Sequence, residues 1–477
     1  MQNNRALMWF RSDLRVFDNT ALRAASQACD ELIACFCICP GQWRAHDMAP
    51  IQSHFIYQNL LALAQQLSQL NIPLKIIKVD HFSQLPAHLH QLCQQLSIGD
   101  VYANQQYAIN EKLRDEKCQQ LFENNAINCH WYHDFCAIAP GQVLKADLNY
   151  YKVFTPFSRQ WKQQFQFGIS LPPAKQQASS VNSDPLLEHD FKLGDHPKIS
   201  WQAGEQAAQA VLKTFVATTV AHYKTDRDIP SIEGTSSLSP YLALGVISPR
   251  QCLSAAYQAL KSATASAQES IYCWINELIW RDFYQHIVDK NPHICRHQAF
   301  KRPTDQLPWR KNTADFERWC HGQTGIPIID AAMRQLLQTG WMHNRLRMIC
   351  AMFLSKNLFI DWRWGEQFFM RHLIDGEFAA NNGGWQWSAS TGTDAVPYFR
   401  VFNPVTQSQR FDPNGHFIRR FVPELSALDN KSIHMPKPEQ LANITYPAPM
   451  VDLKNSRLEA ISHFKMHSGH TKTTTAN

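Results

Sequence analysis

Glu277 stands in IYCWINELIWRDFYQHI, residues 271–287, with Trp274 before it and Trp280 and Arg281 after it. On a helix, steps of three and four residues line one face. A carboxylate among so many apolar and aromatic neighbours belongs in a cleft, where burial raises its pKa and lets it donate a proton. An exposed Glu277–Arg281 ion pair is the plainer alternative. Thr235, Ser236, Ser237 and Ser239 crowd EGTSSLSPYLALG just ahead of Pro240. Hydroxyls beside the free N–H groups of a helix start make a seat for a phosphate, or an ordinary serine cap. In TGWMHNRLRM, Asn344 and Met348 share one face and Trp341 and Arg345 another, while Arg345 and Arg347 need anionic partners in an apolar run. HLIDGEFAANNGGWQWSAS then offers Asp375 and Glu377 as partners for Arg347 and Asn381 as joint donor and acceptor. Its glycines let backbone approach a flat ligand, and Trp385 and Trp387 are read as facing opposite ways.

These residues need a scaffold, and the chain has two grammars. Residues 5–135 alternate strand-like runs (ALMWF, LIACFCI, LKIIKV, DVYAN, INCHWY) with amphipathic stretches. That alternation predicts an α/β domain over 1–139, with a parallel five-stranded, Rossmann-like sheet covered by helices on both faces. WFRSDLRVFDN follows the first strand where a dinucleotide fingerprint would need G-x-G-x-x-G, which argues against a nicotinamide dehydrogenase. Residues 140–200, rich in Pro, Ser and charge, read as a long interdomain linker. From 201 to 465 an all-α domain is expected, with Ser248–Pro249 and Ser239–Pro240 as helix starts and Gly340 as a helix end. Residues 466–477 read as a frayed tail. Nine of the 14 tryptophans fall between Trp274 and Trp387, so the chemistry gathers in the helical part. For any one of these rings, core packing is the plainer reading.

The 477 residues are enough for two or three cores, and 44% of them are apolar. The net charge of +6 permits a phosphate-bearing partner. No run is apolar and long enough for a membrane span, and MQNNRALMWFRSDLR has arginines where a signal peptide needs an apolar core. The 13 cysteines contain no C-x-x-C, and CFCIC at Cys35, Cys37 and Cys39 reads as strand packing in a reduced, cytoplasmic protein. The histidines form no ligand pattern, so no metal is expected.

WFRSDLRVFDN, EGTSSLS, NELIWRDFY, TGWMHNRLRM and AANNGGWQWSASTGTDA together follow the pattern of the DNA photolyase/cryptochrome family. From about Leu7 to Phe421 the chain most resembles the bacterial class I cyclobutane pyrimidine dimer branch. The resemblance implies light-driven repair of ultraviolet-damaged DNA by a soluble monomer that carries FAD and accepts a dimer flipped out of the duplex. It implies that FAD is held by Tyr223, Thr235, Ser236, Ser237, Leu238, Ser239, Trp274, Asn344, Arg347, Asp375, Gly376, Glu377 and Asn381, with Glu377 standing where the family has Asp. Arg347 and Asp375 would pair, and Asn381 would face flavin N5. Glu277 would hydrogen-bond the pyrimidine carbonyls, with Trp280 and Trp387 as walls and Asn344 and Met348 as floor. Arg227, Arg281, Arg345 and Gln407 would meet DNA. Trp385, Trp362 and Trp309 would relay electrons inward from the surface. Asn110 and Glu111, with Trp43 and His46 closing the site, would hold a 5,10-methenyltetrahydrofolate antenna; Arg296 replaces an expected lysine. Two alternatives stand beside this: (6-4) repair, which needs two histidines where Asn344 and Met348 stand, and a cryptochrome-like receptor acting through a partner.

Overall fold

The computed structural model describes residues 4–166, 174–442 and 444–469. Its contacts divide the chain into two compact units: Met1–Lys224 with Ser236–Pro292 and Ile374–Glu377, and Thr225–Thr235 with His293–Leu373 and Phe378–Asn477.

The first unit is built on five parallel strands, β1 Arg5–Phe10, β2 Glu31–Ile38, β3 Leu74–Lys78, β4 Asp100–Asn104 and β5 Asn128–Tyr132, in the order β3-β2-β1-β4-β5. β1 and β2 are almost wholly buried, which is why they read as unbroken apolar runs, whereas the edge strand β5 carries Asn128 and His130 and stays half-exposed. Cys35 and Cys39 lie buried in this core, and burial pushes both thiols up, so they pack as small hydrophobes. Asn19 caps the helix Thr20–Ala28 by accepting from Leu22 N.

The same unit takes in the helices Glu205–Thr218, Pro249–Leu260 and Ala265–Lys290. Ser248 and Gln251 form a capping box at the second of these. The division by contacts thus changes unit after Lys224, Thr235, Pro292, Leu373 and Glu377, and not within the expected linker at 140–200. Buried carboxylates are the reason. Asp282, on Ala265–Lys290, accepts from Ala137 N (3.0 Å), Ile138 N (3.1 Å) and Trp161 Nε1 (3.0 Å). Glu205 accepts from Val16 N at 3.1 Å. The expected linker also contains the helix Phe154–Gln164, which buries Phe157 and Trp161. Its part at 167–173 lies outside the described residues.

The second unit is helical, with Pro327–Thr339, Asn344–Met352, Trp362–Met370, Phe378–Ser388 and Pro404–Phe411 around a core that includes Trp319, Met333, Leu346, Trp362 and Trp385. Gly340, at φ +70°, ends the first of these as expected. The helix Leu453–Gly469 takes up the start of the expected tail; residues 470–477 lie outside the described ones. No helix among the described residues is long and apolar enough to cross a membrane.

Candidate active site

In the first unit, the helix Ala265–Lys290 starts on a Thr264 cap and buries Trp274, Ile275, Leu278, Ile279 and Phe283. Glu277 and Trp280 stay half-buried on one stripe of it, as their spacing requires. Phe154 lies flat on Trp280, with ring centroids 3.7 Å apart and planes 5° from parallel. Arg281, expected at DNA, is half-buried. Its guanidinium donates to Phe135 O at 2.5 Å and Leu242 O at 3.3 Å and lies 3.9 Å over the Phe135 ring. These acceptors make Arg281 an internal brace.

Trp274 and Tyr223 are brought together by Phe215, which meets both edge-on at 4.9 Å and 5.8 Å. Ser239 opens a helix of only five residues, Ser239–Ala243, whose N-cap is Leu238. Ser239 is thus the first helical residue and not the expected cap; Ser237 sits at φ +51°, and Ser237 and Ser239 are exposed. Trp201 Nε1 fixes this loop by donating to Ser237 O at 3.0 Å. Asp375 is buried, and Gln52 Nε2 anchors its neighbour by donating to Gly376 O at 2.6 Å.

The antenna set gathers on His46. Its Nε2 lies 2.8 Å from Asn110 Nδ2 and 2.9 Å from Gln42 Nε2, and its Nδ1 lies 3.6 Å from Glu111. Phe82 meets the His46 ring edge-on, and Trp43 packs on Phe191. Gln42 and Phe82 were not legible as site residues, since neither belongs to a quoted stretch. Arg296 is exposed in the second unit.

In the second unit, His343 rather than a hydroxyl residue caps Asn344–Met352, its Nδ1 accepting from Arg345 N at 3.2 Å. Burial pushes His343 down to about 4, so the ring is neutral and its proton sits on Nε2. Asn344 is exposed at the first helical position, and Met348 is half-buried one turn on. Trp341 falls before the helix, so it does not share a helical face with Arg345. Arg347 Nε donates to Met342 O at 2.8 Å. Arg345, expected at a DNA phosphate, gives Nε and Nη2 to Asp228 at 3.3 and 2.8 Å and lies 4.5 Å over Phe411. Its charge is already matched inside the protein. Arg227 lies 3.8 Å from the same carboxylate. Gln407 is half-buried on Pro404–Phe411, a helix capped by Asn403.

The segment around Trp385 is helical, Phe378–Ser388, and not extended. Two residues of helix still turn Trp385 and Trp387 about 200° apart. Trp385 is buried and Trp387 half-buried. Asn381 Nδ2 donates to Glu366 O at 3.0 Å, which leaves its Oδ1 as the acceptor. A Cβ on neighbouring Gly384 would meet nothing within 4 Å. Trp385 and Trp362 are both buried, at 2% and 0% exposed, and Trp309 is half-buried. Their indole nitrogens are buried without a hydrogen-bond partner among the described residues. Within the second unit, an oriented amide and open space beside exposed backbone suit a flat, polar-edged ligand.

The comparisons agree with this chemistry. Residues 6–178 match the DNA photolyase domain, and residues 274–466 match the FAD binding domain of DNA photolyase. The chain is 45% identical to the deoxyribodipyrimidine photo-lyase of Vibrio cholerae, covering 97% of this chain and 100% of that protein. It is 41% identical to the Escherichia coli enzyme of the same name, over 96% and 98%. Among solved structures, a class III photolyase from Agrobacterium tumefaciens superposes with a TM-score of 0.88 at 30% identity, over 98% of each chain. A Synechocystis cryptochrome superposes at 0.86 and 27%, over 97% of this chain and 100% of that one. With matching domains at both ends and relatives alike over almost their whole length, the chain belongs to the DNA photolyase family.

Proposed function

We propose that this chain repairs cyclobutane pyrimidine dimers in ultraviolet-damaged DNA, driven by light. The observation that carries the reading is the stripe on Ala265–Lys290, where Glu277 and Trp280 stay half-buried among core residues. A carboxyl group and a flat ring one turn apart suit a pair of stacked, carbonyl-bearing bases. When bound in its reduced form, FAD would supply, on excitation by light, the electron that opens the cyclobutane ring and would take it back, with no net oxidation.

Glu277 holds the pyrimidine carbonyls and stabilises the charge the dimer gains. Trp280 and Trp387 are its walls, and Asn344 and Met348 its floor. Tyr223, Thr235, Ser236, Ser237, Leu238, Ser239, Trp274, Asn344, Arg347, Asp375, Gly376, Glu377 and Asn381 hold the flavin dinucleotide. Within that set the hydroxyls take its phosphates, and Asn381 Oδ1 accepts at its ring. Trp309, Trp362 and Trp385 pass electrons inward, a role in keeping with two buried rings and a third that reaches the surface. Arg227 and Gln407 take DNA backbone, in keeping with the net charge of +6. Asn110 and Glu111, joined through His46, hold a folate antenna. The protein works as a monomer in the cytoplasm.

The test is purified protein with thymine-dimer DNA, in blue light and in darkness. Dimers are expected to disappear only in light. Equal dimer content in both arms, with flavin bound, would reject repair. It would favour the second reading, a light receptor, which the likeness to the Synechocystis cryptochrome supports.

A further inference from the structure

Phe154 belongs to none of the stretches that carry the family resemblance, and it sits in what reads as linker. Its ring nonetheless makes the flattest, closest contact Trp280 has, 3.7 Å between centroids at 5°. Phe283 holds the same indole edge-on at 5.6 Å, and Tyr284 lies tilted at 5.5 Å. Phe154 is fixed in turn, because its helix is clamped along Ala265–Lys290 at three further points. Phe157 packs on Phe283 at 5.1 Å, Trp161 Nε1 donates to Asp282 at 3.0 Å, and Lys162 donates to Asn276 at 2.8 Å. All these residues lie within the first unit.

We propose that Phe154 is a positioning residue for lesion recognition, a flat plate that sets the plane of Trp280 before DNA arrives. This rests on the assignment of Trp280 to the dimer's aromatic wall. A ring covered on one broad side can stack a base only on the other. A ring whose rotamer is already fixed loses little freedom when the base binds. Undamaged DNA, gripped by its backbone, gains nothing from that order. The plate therefore acts on discrimination between damaged and intact DNA more than on affinity for DNA in general.

The experiment compares the flavin-loaded protein with Phe154→Leu, Phe154→Tyr and Trp280→Ala. Dissociation constants are measured for a thymine-dimer oligonucleotide and for its undamaged twin at one salt concentration, alongside flavin content and a thermal melt. Phe154→Leu is expected to weaken dimer binding about 3- to 10-fold, the worth of one aromatic pair. Affinity for the undamaged twin and flavin content should hold, and Phe154→Tyr, which keeps the flat ring, should restore discrimination. If Phe154→Leu keeps full discrimination while Trp280→Ala loses it, the positioning role is wrong and the wall stands. If Trp280→Ala also keeps discrimination, the wall assignment itself falls. Equal weakening for both DNAs would make Phe154 merely structural. Should Phe154→Leu not fold, Phe154→Met, which fills the volume without a plane, gives the same comparison.

Discussion

His343 holds the start of Asn344–Met352 with a nitrogen that must stay unprotonated, and burial lowers its pKa from 6.5 to about 4. Above pH 6.5 the ring is neutral in both folded and unfolded chains and adds no pH dependence. Below 6.5 the unfolded chain binds a proton that the folded one refuses, so stability falls with pH until the loss is complete below about 4. The gap corresponds to at most about 3 kcal/mol. His343→Asn keeps a capping oxygen without a titrating ring. Its urea-unfolding free energy is expected to fall less than that of the parent between pH 6.5 and 4; parallel curves would remove His343 from the acid sensitivity. Legibility at this scale was uneven. Ser248 could be read as a cap because serine before proline is a local signal, and its capping box followed. His343 could not, because an imidazole caps only when packing strips its proton. Nor could the internal hydrogen-bond partners of Arg281 and Arg345, the Phe135 carbonyl and the Asp228 carboxylate, which lie far away in sequence.

The helix Phe378–Ser388 shows the same limit among elements. Asn381, Asn382, Gly383 and Gly384 are poor helix formers, so the segment reads as a turn. Packing overrides that preference. Trp385 is driven so hard against Trp362–Met370 that a Cβ on Gly365 would land 2.1 Å from its ring. Asn382 Nδ2 donates to Glu366 of that helix at 3.2 Å. Gly365→Ala is therefore expected to cost about 1–3 kcal/mol and to move the indole, read by urea unfolding and tryptophan fluorescence. Gly384→Ala, with open space around it, should instead stabilise the flavin-free protein by about 0.5–1 kcal/mol. The opposite order of the two variants would undo this account of the helix. The strands gave no such trouble. Both faces of β1 and β2 are buried, so sequence and burial carry one message. Phe154–Gln164 lay hidden for a different reason. Its Phe154, Phe157, Trp161 spacing is helical, but the Pro- and Ser-rich residues after it set the tone of the whole segment.

At the scale of the whole molecule, the change in composition at 140–200 and the division by contacts fall at different places. The first unit needs Pro249–Leu260 and Ala265–Lys290, and Asp282 on the latter satisfies Trp161 and the backbone after β5. A fragment of residues 1–200 is thus expected to lack a cooperative melt, while 1–292 should regain one, as followed by circular dichroism. A sharp transition in the shorter piece would restore the boundary that composition suggested. The chain leaves the first unit after Lys224, returns at Ser236, leaves after Pro292 and returns once more for Ile374–Glu377. This threading bears on synthesis. At ribosomal speeds of about 5–20 residues per second, the last strip of the first unit emerges roughly 10–30 s after Lys224 has appeared. For that interval the nascent chain must wait with its sheet formed and that strip, with the Gly376 carbonyl that Gln52 holds, still missing, a window in which chaperones have something to hold.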